Sequence, residues 1–347
     1  MPVQAIVNLD DDTPRDAVGT RASVVAIGNF DGVHLGHQAV LAAATAEARA
    51  LGLATYVLTF APHPMDVIGR GAPPQLTTLA RRAALLVRAG VDRVFVRRFD
   101  AAIATWSPAR FAADLLAGTL SAKRVAVGDN FRFGADRAGD LPMLGALGRE
   151  LGFEAYAQAM TSDARGPLSS TRARQDLAAG DLDDAARVLG RPHAISGVVG
   201  HGAKRGRTIG FPTANLEAIP ELLPRDGVYA VLVDVLDVLD DAGSSGTGGE
   251  QGDGDARALA AGVMNVGVRP TLDGAGARTV EVHLLDAAAD LYGARLRVHI
   301  VARIRDERRF DGLDALKAQI ADDARAARDA TFAAVAAREA RGARAFG

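Results

Sequence analysis

Between Ser23 and about residue 160, short apolar runs alternate with longer amphipathic stretches. "SVVAIG" (23–28) and "LATYVLTF" (53–60) have strand character, and the alanine-rich "HQAVLAAATAEARALG" (37–52) between them has helical periodicity and ends at Gly52. The alternation continues through "TLARRAALLVRAG" (helix), "VDRVFVRRF" (strand), "SPARFAADLLAG" (helix, with Ser107 as cap and Pro108 in the first turn), "AKRVAVG" (strand), "LPMLGALGRELG" (helix) and "FEAYAQAM" (strand). Strands separated by helices of this length have to cross over, which predicts a parallel, Rossmann-like α/β sheet covered on both faces, with ligands at the carboxyl ends of its strands. Two further helices, "STRARQDLAAG" and "LDDAARVLG", close at Gly180 and Gly190. Beyond Arg191-Pro192 the period changes to two in "GVYAVLVDVL", "TVEVHLLD" and "RLRVHIVARIR", and only 313–340 is helical again. That pattern predicts a small antiparallel β-barrel with a terminal helix. The expected division is therefore 1–190 and 191–347, and the almost wholly polar 240–256 segment is expected to be a disordered insertion between two strands.

Composition narrows the functional classes. The chain has 347 residues, enough for two domains at about 150 residues each. A net charge of −2 gives no general pull toward nucleic acid or membrane, and the absence of cysteine removes disulfides, thiolate metal sites and cysteine nucleophiles. No apolar stretch approaches the ~20 residues that span a bilayer, and the acidic start does not resemble a secretory signal, so a cytoplasmic protein without membrane or nucleic-acid partners is expected. A monomer or weak homo-oligomer is the expected state.

Two stretches carry chemistry. "GNFDGVHLGH" (28–37) follows a strand and starts a helix, so its backbone N–H groups and the helix dipole favour an anion. Gly28, Asn29, Phe30, Asp31 and Gly36 are the candidates to hold a polyphosphate in this turn, the glycines permitting close approach, and His34 and His37 are placed to reach the same phosphates, donating as charge develops on a leaving oxygen. The competing reading has one histidine capping the helix and the other packing. "LSSTRAR" (168–174) taken alone is a helix start with a solvated arginine. The second stretch, "VVGHGAKRGRTIGFPTANL" (198–216), is not a P-loop, because its glycine spacing fails and Arg207 stands where lysine is required. It leaves a glycine-rich turn at Gly202 with Lys204, Arg205 and Arg207, followed by Thr213 and Asn215 on one face of an extended segment. Their oxygens suit Mg²⁺, and a polar hairpin at an edge strand is the alternative. Downstream, Val280, Val282 and Leu284 point one way and Thr279, Glu281 and His283 the other. Alternation alone does not say which side is inside a barrel.

The motif G-N-F-D-G-V-H-L-G-H resembles the flavin branch of the H-x-G-H nucleotidyltransferases, the bacterial bifunctional riboflavin kinase/FMN adenylyltransferase (FAD synthetase) family. G-F-P-T-A-N, "DGVYAV", "GVMNVGVRPT", "VEVHLLD", "LYG" and "RDERRF" follow in the order of its riboflavin kinase module, so the resemblance covers about 22–325. It implies that Ser170, Thr171 and Arg174 hold ATP phosphates with His34 and His37. It further implies that Asp129, Asn130 and Phe131 lie near flavin, and that the glycine-rich turn with Gly202, Lys204 and Arg207 serves a second ATP. Thr213 and Asn215 then hold Mg-ATP, Glu281 on the inner barrel wall is the catalytic base, and Arg305 opens a loop near the flavin. Ala173 and the Arg81-Arg82 pair depart from the family pattern, and no role is carried to the arginines. The implied substrates are riboflavin, FMN and ATP. Two rivals are a single-function nucleotidyltransferase with a non-catalytic flavin-binding β-domain, and a flavin or nucleotide sensor.

Overall fold

A computed structural model describes residues 5–10, 20–200, 213–238, 260–269, 277–285 and 291–339. The chain divides into two compact units, Met1–Pro73 with Arg81–Ser169, and Pro74–Ala80 with Ser170–Gly347. Among the described residues, no helix is long and apolar enough to cross a membrane.

In the first unit, β1 (Ile6–Leu9), β2 (Ser23–Ile27), β3 (Ala54–Ala61), β4 (Arg93–Arg98), β5 (Ala122–Gly128) and β6 (Glu154–Gln158) form one sheet in the order β1-β4-β3-β2-β5-β6. Every pairing in it is parallel. Central β2 is buried along its whole length, as a strand covered on both faces has to be, which explains why "SVVAI" is nearly all apolar. Helix α1 (Leu35–Leu51) leads from β2 to β3. The expected helix from Pro108 starts as an α-turn, Pro108–Phe111, and continues as a π-helix over Ala112–Thr119. Leu58, Phe95, Leu116, Leu120 and Leu144, each fully buried, belong to the main core. Strand β1 is an addition to the expected set and lies in the stretch outside the family resemblance.

Helices α2 (Leu79–Arg88), α3 (Pro108–Phe111) and α4 (Leu141–Leu151) fall in the sequence before Ser170, and in the second unit α5 (Ser170–Ala179) and α6 (Leu182–Leu189) precede a closed antiparallel barrel. Its strands are β7 (Ala194–Gly200), β8 (Ala214–Glu217), β9 (Gly227–Val238), β10 (Ala260–Arg269), β11 (Ala277–Leu284) and β12 (Ala294–Arg305), closed in the order β8-β11-β10-β9-β12-β7. Val280, Val282, Met264 and Val266 are at most 2% exposed and fill the inside. The terminal helix α7 (Leu313–Glu339) covers part of the outside, packing Ala324 and Ala327 on Ala230 and Leu285. This corrects the expected inner-wall position of Glu281. Because side chains alternate along β11, Glu281 and His283 face outward while the two valines fill the barrel. They are not on an open surface, since α7 supplies part of the wall in front of them. The 240–256 insertion lies outside the described residues.

Candidate active sites

The chain leaves β2 through a hydrogen bond from Gly28 N–H to Leu58 O (3.1 Å) and turns sharply. Phe30 (φ 50) and Val33 (φ 40) both occupy the left-handed region, a costly conformation for side chains of this size and one that collects at functional turns. His34 caps α1, its Nδ1 accepting the His37 N–H at 3.2 Å. In the neutral form the His34 proton is therefore on Nε2. The two imidazoles are stacked, with centroids 3.6 Å apart and planes 23° apart, and the Phe30 ring meets His37 edge-on at 5.1 Å. Asp31, buried, pairs with buried Arg82 at 3.4 Å, which gives the second of the two unassigned arginines a place beneath the turn.

Both sequence readings of the histidines are thus partly satisfied. Capping accounts for His34 Nδ1. It does not account for His37, whose Nδ1 is buried without a hydrogen-bond partner. A packing histidine is expected to satisfy such an atom. Burial first, then the neighbouring His34 and Arg82 charges, hold the His37 pKa well below its ordinary 6.5. Near pH 7 the ring is neutral. The unfolded chain takes up a proton as pH falls through about 6.5 and the folded chain does not, so this group's contribution to stability is complete above that pH and declines below it. Urea unfolding of the wild type is expected to show that decline between pH 7 and 5, and His37→Gln to flatten it.

Gly36 shows how tight the turn is. A Cβ there would lie 2.7 Å from Leu168 O and 3.0 Å from His34 Nδ1. Gly36→Ala is expected to displace the cap, cost about 1–3 kcal/mol of stability and lower turnover at this site, measurable by denaturant titration and a coupled assay.

Beside this turn is a cavity of about 550 Å³ whose walls include Phe60, Phe99, Phe111, Phe131, Phe133 and Asn29. Phe131 and Phe133 are stacked 5.4 Å apart, and Asn29 Nδ2 lies 2.9 Å from Nε2 of His63, another wall residue. Of the loop residues expected near flavin, Phe131 lines this space. Asp129 and Asn130 are exposed and are not among its lining residues. Phe60, Phe99 and Phe111 were not anticipated. They come from three separated stretches whose local patterns predict only strands and a helix.

In the second unit, Ser170 and Thr171 open α5, and Arg174 donates from Nε to Pro74 O at 2.7 Å. Arg172, which the motif also contains, forks onto the fully buried Asp184 carboxylate with contacts of 2.9 and 2.8 Å and serves packing. Ala173 is fully buried, so the departure from the family pattern at that position falls in the core.

The barrel's outer face carries the other site. Glu281 is paired in register with Asn215 on one side and Asn265 on the other, so three polar side chains form a row across β8, β11 and β10. Glu281 and Asn265 line a cavity of about 310 Å³ together with Thr213, whose apolar walls include Val263, Phe310 and Ile320. Arg305 also lines it, but its Nε and Nη2 are held by the buried Asp323 carboxylate at 3.0 and 2.8 Å, fixing the start of the 305–310 loop to α7. Asn265 Nδ2 donates to Glu307 Oε1 at 3.0 Å. Gly202, Lys204 and Arg207 lie outside the described residues.

Comparison with known proteins divides the chain in a similar way. A family model for FAD synthetase matches residues 17–172 and one for riboflavin kinase matches 189–331. The bifunctional riboflavin kinase/FMN adenylyltransferase of Escherichia coli K12 is 43% identical over 301 residues, 86% of this chain and 90% of that protein. The Pseudomonas fluorescens protein of the same description is 42% identical over 88% of this chain and 92% of its own length, and that of Bacillus subtilis 35% identical over 87% and 90%. A solved Streptococcus pneumoniae structure described as a macrolide-efflux protein superposes with a TM-score of 0.78 at 30% identity, covering 94% of this chain and 99% of that one.

Proposed function

The chain belongs to the bifunctional riboflavin kinase/FMN adenylyltransferase family, and from that premise we propose which of its residues carry each reaction. It is an enzyme that uses ATP to phosphorylate riboflavin to FMN and then adenylylates FMN to FAD.

At the barrel site, Glu281 accepts the proton of the riboflavin 5′-hydroxyl as that oxygen attacks the γ-phosphorus. The O–P bond forms as the bond to the β-phosphate oxygen breaks, leaving FMN and ADP. The apolar walls shelter the carboxylate and take the ring system, and Arg305, tied to Asp323, steadies the loop beside it. Thr213 and Asn215 offer a hydroxyl and an amide oxygen, hard neutral donors that would hold Mg²⁺, and the bound ion would supply neutralisation of phosphate charge. Gly202, Lys204 and Arg207 are assigned to the phosphates of this ATP.

At the sheet site, the FMN phosphate attacks the α-phosphorus of ATP and pyrophosphate departs. The attacking phosphate is already ionised near pH 7, so no protein nucleophile is required. The turn formed by Gly28, Asn29, Phe30, Asp31 and Gly36 presents the triphosphate to His34 and His37. The neutral His37 ring donates an N–H to oxygen on which charge develops, without adding a fixed cation that would hold the product. Motif order assigns Ser170, Thr171 and Arg174 to the same phosphates. The phenylalanine-walled cavity is assigned to the isoalloxazine, with Phe131 the ring-facing residue in preference to Asp129 and Asn130. Boundaries of 1–190 and 191–347, a cytoplasmic location and a monomeric or weakly associating chain complete the proposal.

The observation that carries most weight is the Asn215–Glu281–Asn265 row set against a walled cavity, because a strand glutamate with no task would face bulk water. Purified protein given riboflavin, ATP and Mg²⁺ is expected to make FMN and then FAD. FAD formed from supplied FMN alone would favour the single-function rival, and no turnover the sensor.

A further inference from the structure

We propose that Glu307 is a positioning residue for riboflavin phosphorylation, acting on Glu281 through the carboxamide of Asn265. The inference rests on the assignment of Glu281 as base. Glu307 follows the strand end at Arg305 and lines the same cavity as Glu281, yet its hydrogen bond reaches back to Asn265, the in-register neighbour of that base. Cross-strand neighbours have Cβ atoms about 5 Å apart, within reach of a rotating carboxamide. Left to itself, the Asn265 amide can turn and donate to the Glu281 carboxylate, drawing charge from the oxygen that receives the hydroxyl proton and lowering its basicity. With Nδ2 held by Glu307, the amide has one settled orientation and Glu281 keeps its direction toward the cavity.

The surroundings are built for this contact. A Cβ on Gly267 would lie within van der Waals overlap of the Glu307 carboxylate, so the acid rests directly on the β10 backbone two residues beyond Asn265. The loop bearing it is fixed at its start by the Arg305–Asp323 pair. Neither tie involves Thr213 or Asn215, so Glu307 affects the base from the side away from the proposed Mg²⁺ donors.

Steady-state kinetics on the full chain test the proposal, with adenylylation of supplied FMN assayed on the same samples as a check on folding. Glu307→Ala is expected to lower kcat for riboflavin phosphorylation by about tenfold, the scale on which loss of orientation is felt, with the KM for ATP within about twofold. Glu307→Gln keeps an acceptor oxygen and is expected to retain most of kcat. Asn265→Ala frees the base of its neighbour's amide, so adding Glu307→Ala to it is expected to cause little further loss. Losses that multiply in the double variant would mean that Glu307 acts independently of Asn265 and would overturn the proposal. So would an unchanged kcat in Glu307→Ala, a Gln variant as impaired as the Ala variant, or a parallel fall in adenylylation. A Glu281→Gln enzyme with intact kinase activity would instead remove the base assignment itself, which separates the two failures.

Discussion

Glu281→Gln is expected to reduce riboflavin phosphorylation by about 10²–10⁴-fold while conversion of supplied FMN to FAD stays within about twofold of wild type. The amide matches the carboxylate in size and keeps an oxygen facing the cavity, so the barrel and its row of polar neighbours are preserved. It cannot take a proton at neutral pH. The loss should therefore fall on kcat, with the KM for riboflavin little altered, as for a group whose interaction is made in the transition state. Following both products over time distinguishes the outcomes. Full FMN production by the variant would show that the proton leaves by another route and that Glu281 is only a wall residue.

His37→Ala is expected to give the reverse pattern, with adenylyl transfer down by about 10²–10³-fold and riboflavin phosphorylation retained. Deleting the ring removes the donor and also the face stacked on His34 and the edge contact with Phe30, so some of the loss belongs to the turn. His37→Gln separates the two contributions, because it restores an N–H without the ring. It is expected to recover part of the rate if donation matters, and none of it if only stacking does. Pyrophosphate release from FMN and ATP, and its reversal from FAD and pyrophosphate, should fall together, since the same charged transition state is crossed both ways.

How legible these sites were depended on the kind of pattern each residue belongs to. Strand β2 was readable because a central parallel strand has to be apolar on both faces, and the barrel because half-buried antiparallel strands alternate. Strand β1 was not, because four residues, "IVNL", are too few for any period to stand out. The histidine motif was readable because its residues are contiguous and have to be, since one turn holds the cap, the stack and the close approach at Gly36. The aromatic cavity was hidden because its phenylalanines come from separate stretches and meet only after the sheet is wound. The side on which Glu281 lies was hidden for a different reason. Period two separates two faces without naming them, and here the covering helix α7 turns an outward face into a sheltered one. Glu307 was concealed because it stands in a loop and its role depends on a hydrogen-bond partner 42 positions away in the sequence.

The seven-residue strip Pro74–Ala80 belongs with the barrel-bearing unit although its flanking sequence belongs with the sheet. Leu222 N–H bonds to Gln75 O at 2.8 Å, and Gln75 forms a bridge with Glu221. Scissors applied at one peptide bond therefore cannot release either half whole. A fragment ending near 169 keeps a strip whose backbone has lost its partners, and the complementary fragment lacks the backbone that Leu222 and Arg174 need. For this chain, assigning the two activities to its two halves is a task for point substitutions, and the weakness of a severed half would say more about the missing strip than about its chemistry.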